Sequence, residues 1–232
     1  MPRQLTMLLP SAATISSLTF GVMAIMVLAD GEFLLAALLI LLGSILDVLD
    51  GQLAERLNAT SDIGKELDSL ADVVTFGVAP TILIYHLLLL EGVDQFVAIT
   101  TSLAFVVAGA FRLARFNTMP SDRNANFKGM PIPMASMLLI TASFWQHWIV
   151  NIWWTIVVIT VSYLMVSHFP YPKSTRVLSL PPLVWGGLAL IIVTCWIVAG
   201  WQAVPFSLLL LYALTGPAMW FFNTTKEHLS QA

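Results

Sequence analysis

Charge is what this chain has least of. Its 232 residues hold 10 Lys and Arg and 13 Asp and Glu, so that 10% are charged against 58% hydrophobic. Soluble globular domains carry about 25% charged residues, and so few charges cannot coat a water-soluble surface of this size. The mean hydropathy of +0.87 agrees. A net charge of −3 excludes a broadly basic nucleic-acid binder. There is one cysteine, Cys195, set in an apolar run. It excludes an internal disulfide, a cysteine metal cluster and a Cys–His nucleophile, and reads as lipid- or core-facing filler. No soluble second domain, low-complexity tract or short-period repeat is present. The first apolar run is too long for a cleavable leader, and no small-residue cleavage pattern follows it.

What remains is apolar sequence in long runs. A membrane span needs about 20 largely apolar residues. Eight runs qualify, roughly 11–29, 33–54, 69–90, 95–114, 133–149, 152–168, 181–199 and 204–222. The boundary between the fifth and sixth, marked by His147, Asn151 and Trp153, is weak. Counting both gives a consistent charge asymmetry. Arg3, Arg56, Lys65, Arg112, Arg115, Arg123, Lys128, Lys173, Arg176 and Lys226 then all fall on one side, and Asp30, Glu32, Glu91 and Asp94 on the other. The expectation is an all-α integral membrane protein of about eight helices with both termini cytoplasmic. Trp145, Trp148, Trp153, Trp154 and Trp201 read as an aromatic belt. His86, His147, His168 and His228 share no metal-ligand spacing.

Acidic side chains near hydrocarbon are expensive and mark function. Asp47 and Asp50 close the second span, and Asp68 and Asp72 open the third. Residues three or four apart share a helix face, so each helix presents a carboxylate pair. The intervening hairpin, Glu55 to Leu67, lets the pairs meet. Four like charges in a poorly hydrated site repel unless neutralised, and only Arg56 and Lys65 lie within reach. Hard divalent cations are the natural counter-charges, because carboxylate oxygens suit Mg²⁺ or Mn²⁺. Two ions fit four carboxylates. Asp62, Glu66 and Asp122 read instead as solvated helix-end acids. Gly43, Gly51, Ala54 and Gly64 around the pairs serve either close helix packing or access for a substrate. Arg112 and Arg115, three apart near a helix end beside Asn117 and ahead of Lys128, suit either membrane anchoring or bidentate recognition of an anion.

The acidic motif carries a resemblance. Asp47-x2-Asp50-Gly51-x2-Ala54 followed by Gly64-x3-Asp68-x3-Asp72 resembles the CDP-alcohol phosphotransferase pattern D-x2-D-G-x2-A-R-x8-G-x3-D-x3-D, with every gap preserved. The family arginine position holds Glu55, and Arg56 follows it. The resemblance implies a six-helix catalytic bundle over residues 1–180, with 181–232 adding two helices and a short tail. It implies two divalent metals on Asp47, Asp50, Asp68 and Asp72, with Asp72 also the general base. It further implies donor contacts at Gly51, Ala54, Ser61 and Gly64. Arg56 takes the place of the missing arginine only if the helix ends or unwinds there, since it points about 100° away on a regular helix.

Asp68-Ser-Leu-Ala-Asp72-Val-Val-Thr-Phe-Gly-Val-Ala-Pro80, Phe111-Arg-Leu-Ala-Arg-Phe-Asn117, Phe127-Lys-Gly-Met-Pro-Ile-Pro133 and Leu164-Met-Val-Ser with Pro172-Lys173 resemble the integral-membrane phosphatidylserine synthases within that family. That likeness implies transfer of the phosphatidyl group of CDP-diacylglycerol to L-serine with release of CMP. It also implies a homodimer in a prokaryotic plasma membrane, its active site facing the cytoplasm. Arg112, Arg115 and Lys128 would bind the serine carboxylate or a phosphate. Other acceptors (glycerol 3-phosphate, inositol phosphate), an archaeal ether-lipid donor, a cation transporter built on the aspartates and an inactive scaffold are the alternatives. Transport is disfavoured because the acids gather at one membrane face and no internal repeat is present.

Overall fold

The computed structural model describes residues 3–57, 61–118, 127–144, 152–172, 200 and 203–231. Helix α1 (Arg3–Ala29) turns at Gly31 into α2 (Phe33–Arg56), and the two pack along their length. A third rod, α3 (Asp62–Asp72), passes through a wide π turn (Val73–Val78) into α4 (Ala79–Leu90). Helix α5 (Gln95–Thr118) follows, opened by Asp94, whose carboxylate accepts the backbone N–H groups of Phe96 at 2.9 Å and Val97 at 3.3 Å. Next come β1 (Phe127–Lys128), α6 (Ile132–Ser143), α7 (Ile152–Val166), β2 (Pro170–Tyr171) and a long last helix, α8 (Ala203–Gln231). The strands form a small antiparallel ribbon that pairs Phe127 with Tyr171 and Lys128 with Pro170.

Five helical runs among the described residues are long and apolar enough to cross a membrane, and α6 and α7 are shorter apolar helices. The chain is thus an all-α, multi-pass membrane protein. The fifth and sixth expected spans are separate helices. The seventh, 181–199, lies outside the described residues. Helix α2 exposes Leu34, Leu38, Leu42 and Ile45, each 45% or more accessible. Such a stripe suits hydrocarbon and would be a liability in water.

The hairpin between the acid pairs is tighter than the expected Glu55–Leu67. Helix α2 runs on to Arg56, and α3 already begins at Asp62 because Ser61 caps it: extended at φ −133°, ψ 156°, its hydroxyl accepts the Gly64 N–H at 3.0 Å. Asp68 therefore stands almost two turns inside the helix. The three rods are drawn together at one level by small and hydroxylated residues. The Ser17 hydroxyl donates to Gly43 O at 2.9 Å, and the Thr75 hydroxyl, within the π turn, donates to Ser17 O at 3.1 Å. A Cβ on Gly43 would stand 2.8 Å from Thr75 Cγ2, so Gly43 serves packing.

Fully buried Phe76, Phe105, Leu139, Trp154 and Tyr171 anchor one continuous core. This corrects the reading of Trp154 as part of an aromatic belt. Neighbours on a helix point about 100° apart, so Trp153 is 61% exposed while Trp154 is 1% exposed. Trp145, Trp148 and Trp201 lie outside the described residues. His86 packs its ring edge-on against Phe33 and Tyr85, a structural role in keeping with its lack of ligand spacing.

Candidate active site

Carboxylates from α2 and α3 converge where the sequence pattern expects them. One oxygen from each of Asp47, Asp50 and Asp68 lies within 4.8 Å of the other two. Asp72, one turn beyond Asp68 on α3, brings its carboxyl close against that of Asp47. Asp50 is 5% exposed, and its Oδ2 accepts the Thr14 hydroxyl of α1 at 2.5 Å. The Oδ1 of Asp72 is buried without any hydrogen-bond partner. Two carboxylates in contact cannot both ionise without a proton or cation between them, and a buried acceptor with no donor is costly. An all-oxygen anionic donor set with one orphaned acceptor is the environment a hard divalent cation fits.

Beside the acids opens a cavity of about 220 Å³ lined by residues that include Asp50, Asp68, Gly51, Ala54, Ser61 and Gly64. Thr14 and Lys65 also line it. Gly51 meets nothing within 4 Å of where a Cβ would sit, so this glycine leaves open space where Gly43 allows packing. Arg56 is exposed and outside that lining, at the end of a helix that does not unwind before it. Among the described residues, Lys65 is the only basic one in the cavity wall. It pairs with Asp62 at 3.7 Å across two side chains that are 71% and 102% exposed, a contact weak enough for the ammonium to leave. Asp62 and Glu66 are exposed, as solvated helix-end acids should be.

The two arginines of α5 have opposite surroundings. Arg115 is bound to four backbone carbonyls. It donates to Val166 O at 2.8 Å, Lys128 O at 2.6 Å, Ser167 O at 3.2 Å and Met165 O at 3.4 Å. It thus satisfies the open carbonyls at the end of α7 and ties them to β1. Gly129 makes this approach possible: its φ of +81° favours glycine, and a Cβ there would run into Met165 O and the Arg115 guanidinium. Arg112, one turn earlier, is 6% exposed and makes no hydrogen bond among the described residues. Its guanidinium lies 5.4 Å from the Phe116 ring centroid, and its electrostatic neighbours are Asp72, Tyr212 and Arg115. Lys128 is exposed on the ribbon. Asn117 donates to the Ser69 hydroxyl at 2.8 Å, fastening the end of α5 to α3 between the two halves of the site.

Sequence reasoning missed three of these residues. Thr14 sits 36 residues from its partner Asp50 in an apolar helix with several other hydroxyls. Lys65 was seen as a nearby charge but not as cavity lining. Tyr212 belongs to the last span, for which the sequence offers no functional signal.

A family model described as CDP-alcohol phosphatidyltransferase matches residues 7–166. A CDP-diacylglycerol–serine O-phosphatidyltransferase of Bacillus subtilis (strain 168) is 41% identical over 164 residues, covering 71% of this chain and 89% of the relative. One of the same name from Helicobacter pylori (strain ATCC 700392 / 26695) is 35% identical over 186 residues, 76% of this chain and 77% of the relative. An archaetidylserine synthase of Methanothermobacter thermautotrophicus is 34% identical over 168 residues, 71% of this chain and 70% of the relative.

Proposed function

Because the chain belongs to the CDP-alcohol phosphatidyltransferase family, with residues 7–166 matched, we propose that it transfers the phosphatidyl group of CDP-diacylglycerol to the hydroxyl of L-serine, giving phosphatidylserine and CMP. The observation that carries this reading is the four-carboxylate centre beside an open cavity, in a chain whose similar relatives bear that activity in their names. Asp47, Asp50, Asp68 and Asp72 would hold two divalent cations. Bound there, Mg²⁺ or Mn²⁺ would neutralise the donor's diphosphate and polarise the phosphorus under attack.

Gly51, Ala54, Ser61 and Gly64 give the nucleotide end of the donor its bed, and Lys65 offers positive charge in the cavity wall, with Arg56 exposed at the end of α2 outside that lining. Asp72 takes the proton of the serine hydroxyl. The serine oxygen attacks the phosphatidyl phosphorus in line, the bond to the bridging oxygen breaks, and CMP leaves with that oxygen. No phosphorylated enzyme intervenes. Arg112 receives the serine carboxylate: its buried guanidinium makes no hydrogen bond among the described residues, such a group is costly without an acceptor, and an anionic substrate group supplies one. Arg115 contributes by fixing the ribbon, and Lys128 by adding charge to the same side.

The same reading has a catalytic unit over 1–180 and two helices over 181–232. It has eight spans, with both termini and the active site at the cytoplasmic face of the plasma membrane, and a homodimer as the working form. Purified protein given CDP-diacylglycerol, Mg²⁺ or Mn²⁺ and a panel of alcohols tests the reaction. CMP release is expected with serine. Release with glycerol 3-phosphate or inositol phosphate but not serine would sink the acceptor assignment. An ether-linked donor belongs in the same panel, since the archaetidylserine synthase is among the similar relatives.

A further inference from the structure

Helix α8 lies beyond the matched residues 7–166, yet it is fastened to the acceptor side of the site. The Tyr171 hydroxyl of β2 donates to Ala213 O at 3.0 Å, and the Tyr212 hydroxyl of α8 donates back to Pro172 O at 3.5 Å. The two rings lie 5.5 Å apart. Gly216 presses so closely on the Tyr171 ring that a Cβ would overlap it. Burial, then the neighbouring Tyr212, push the Tyr171 phenol above the ordinary tyrosine range, so it remains a neutral donor. Strand β2 in turn pairs with β1, whose Lys128 carbonyl is gripped by Arg115. An unbroken chain of contacts therefore runs from α8 through the ribbon to Arg115 of α5.

The two tyrosine bonds are unequal. At 3.0 Å the Tyr171 bond is well made, while the 3.5 Å Tyr212 bond stands at the outer limit for a hydroxyl donor. Tyr212 is half-buried and can redirect its hydroxyl at small cost. Its charged neighbour is Arg112, which has Asp72 as another electrostatic neighbour and no hydrogen bond of its own among the described residues. We propose that Tyr212, on the C-terminal helix, is a specificity-determining residue of the acceptor subsite, donating its phenol hydroxyl to the carboxylate that Arg112 binds. This rests on the serine-transfer reading and adds to it a residue from outside the matched region. The acceptor so favoured is a hydroxy amino acid; an amino alcohol without a carboxylate gains nothing from Tyr212.

The test compares Tyr212→Phe, Tyr171→Phe and Arg112→Lys with wild type in serine KM, donor KM, the preference for serine over ethanolamine, and Tm. Tyr212→Phe should raise serine KM roughly tenfold or more, the worth of a hydrogen bond to a charged group. Donor KM should hold and the preference over ethanolamine should narrow. Tyr171→Phe should lower Tm and leave serine KM alone. If Tyr171→Phe raises serine KM as much as Tyr212→Phe, the effect is docking of α8 and the proposal is overturned. It is overturned equally if Tyr212→Phe leaves serine KM unchanged while Arg112→Lys raises it. If neither Tyr212→Phe nor Arg112→Lys moves serine KM in an enzyme that makes phosphatidylserine, the carboxylate subsite lies elsewhere. If wild type does not use serine, the proposed function falls first, and this inference with it.

Discussion

The acid-bearing hairpin of α2 and α3 and the arginine-bearing end of α5 meet around Asp72, and they are assembled in different ways. The hairpin draws its four aspartates from positions 47–72, held by helix periodicity and one short turn capped by Ser61. The opposite side draws on residues 112, 115, 128, 166, 171 and 212, joined mainly through backbone carbonyls and a two-stranded ribbon. Their charges are also treated differently. On the acid side the Thr14 hydroxyl donates to Asp50 while the buried Oδ1 of Asp72 has no hydrogen-bond partner among the described residues, which leaves the carboxylates to compete for cations. On the basic side one arginine is held by four backbone carbonyls, and its neighbour makes no hydrogen bond among the described residues. Unmet polar demand thus separates the groups that would act from those that hold.

Chelation should strike the hairpin hardest. With the cations gone, the acids repel at close range, so EDTA should abolish CMP release and lower Tm, with Mg²⁺ or Mn²⁺ restoring both. Full turnover in chelator would remove the hairpin's claim to be a metal centre. The next largest effect is expected at the junction of the two sides. Asp72→Asn should cut kcat by the roughly 10²–10⁴-fold that acid–base catalysis contributes and weaken donor binding far less. Equal collapse of both, read by titration calorimetry with CDP-diacylglycerol, would make Asp72 chiefly a ligand.

Thr14→Val tests whether the hairpin is self-sufficient. Groups that orient ligands typically carry about 10–100-fold in metal affinity. Mn²⁺ binding should weaken by that order, and Thr14→Ser should keep most of it. Unchanged Mn²⁺ affinity in the valine variant would mean that α1 merely packs beside Asp50. The smallest effect should come from Lys65→Ala, a several-fold rise in donor KM with serine KM unchanged, since an exposed cation contributes about 1 kcal/mol or less. A matching rise in serine KM would blur the division between the two sides.

What was legible beforehand follows the same division. The aspartates and the small residues between them could be read because their partners lie within a few helical turns, where spacing alone decides which residues share a face. The start of α3 was misplaced because Ser61 and Gly64 were weighed as substrate contacts, whereas together they also form a cap. Arg112 and Arg115 could not be told apart, since two arginines three residues apart look alike until α7 and β1 arrive to bond one of them. Trp154 was misassigned beside Trp153 because composition carries no information on which of two adjacent residues faces inward. Thr14 and Tyr212 depend on contacts 36 and 40 residues distant along the chain, which no local pattern encodes.

The π turn at Val73–Val78 bears on how this rod can tolerate change. One residue advances an α-helix by about 100°, and a π turn spends about one residue more than an α turn on the same rotation. The acids at 68 and 72 and the buried stripe of Leu83, Ile84, Leu87 and Leu88 are therefore out of phase by that extra step. An insertion or deletion inside either helical half would swing a carboxylate away from α2 or turn the buried stripe outward. Within 73–78 the loss of one residue can instead be met by relaxing the turn to α, so a deletion there that spares Thr75 and Phe76 keeps both halves of the rod in phase.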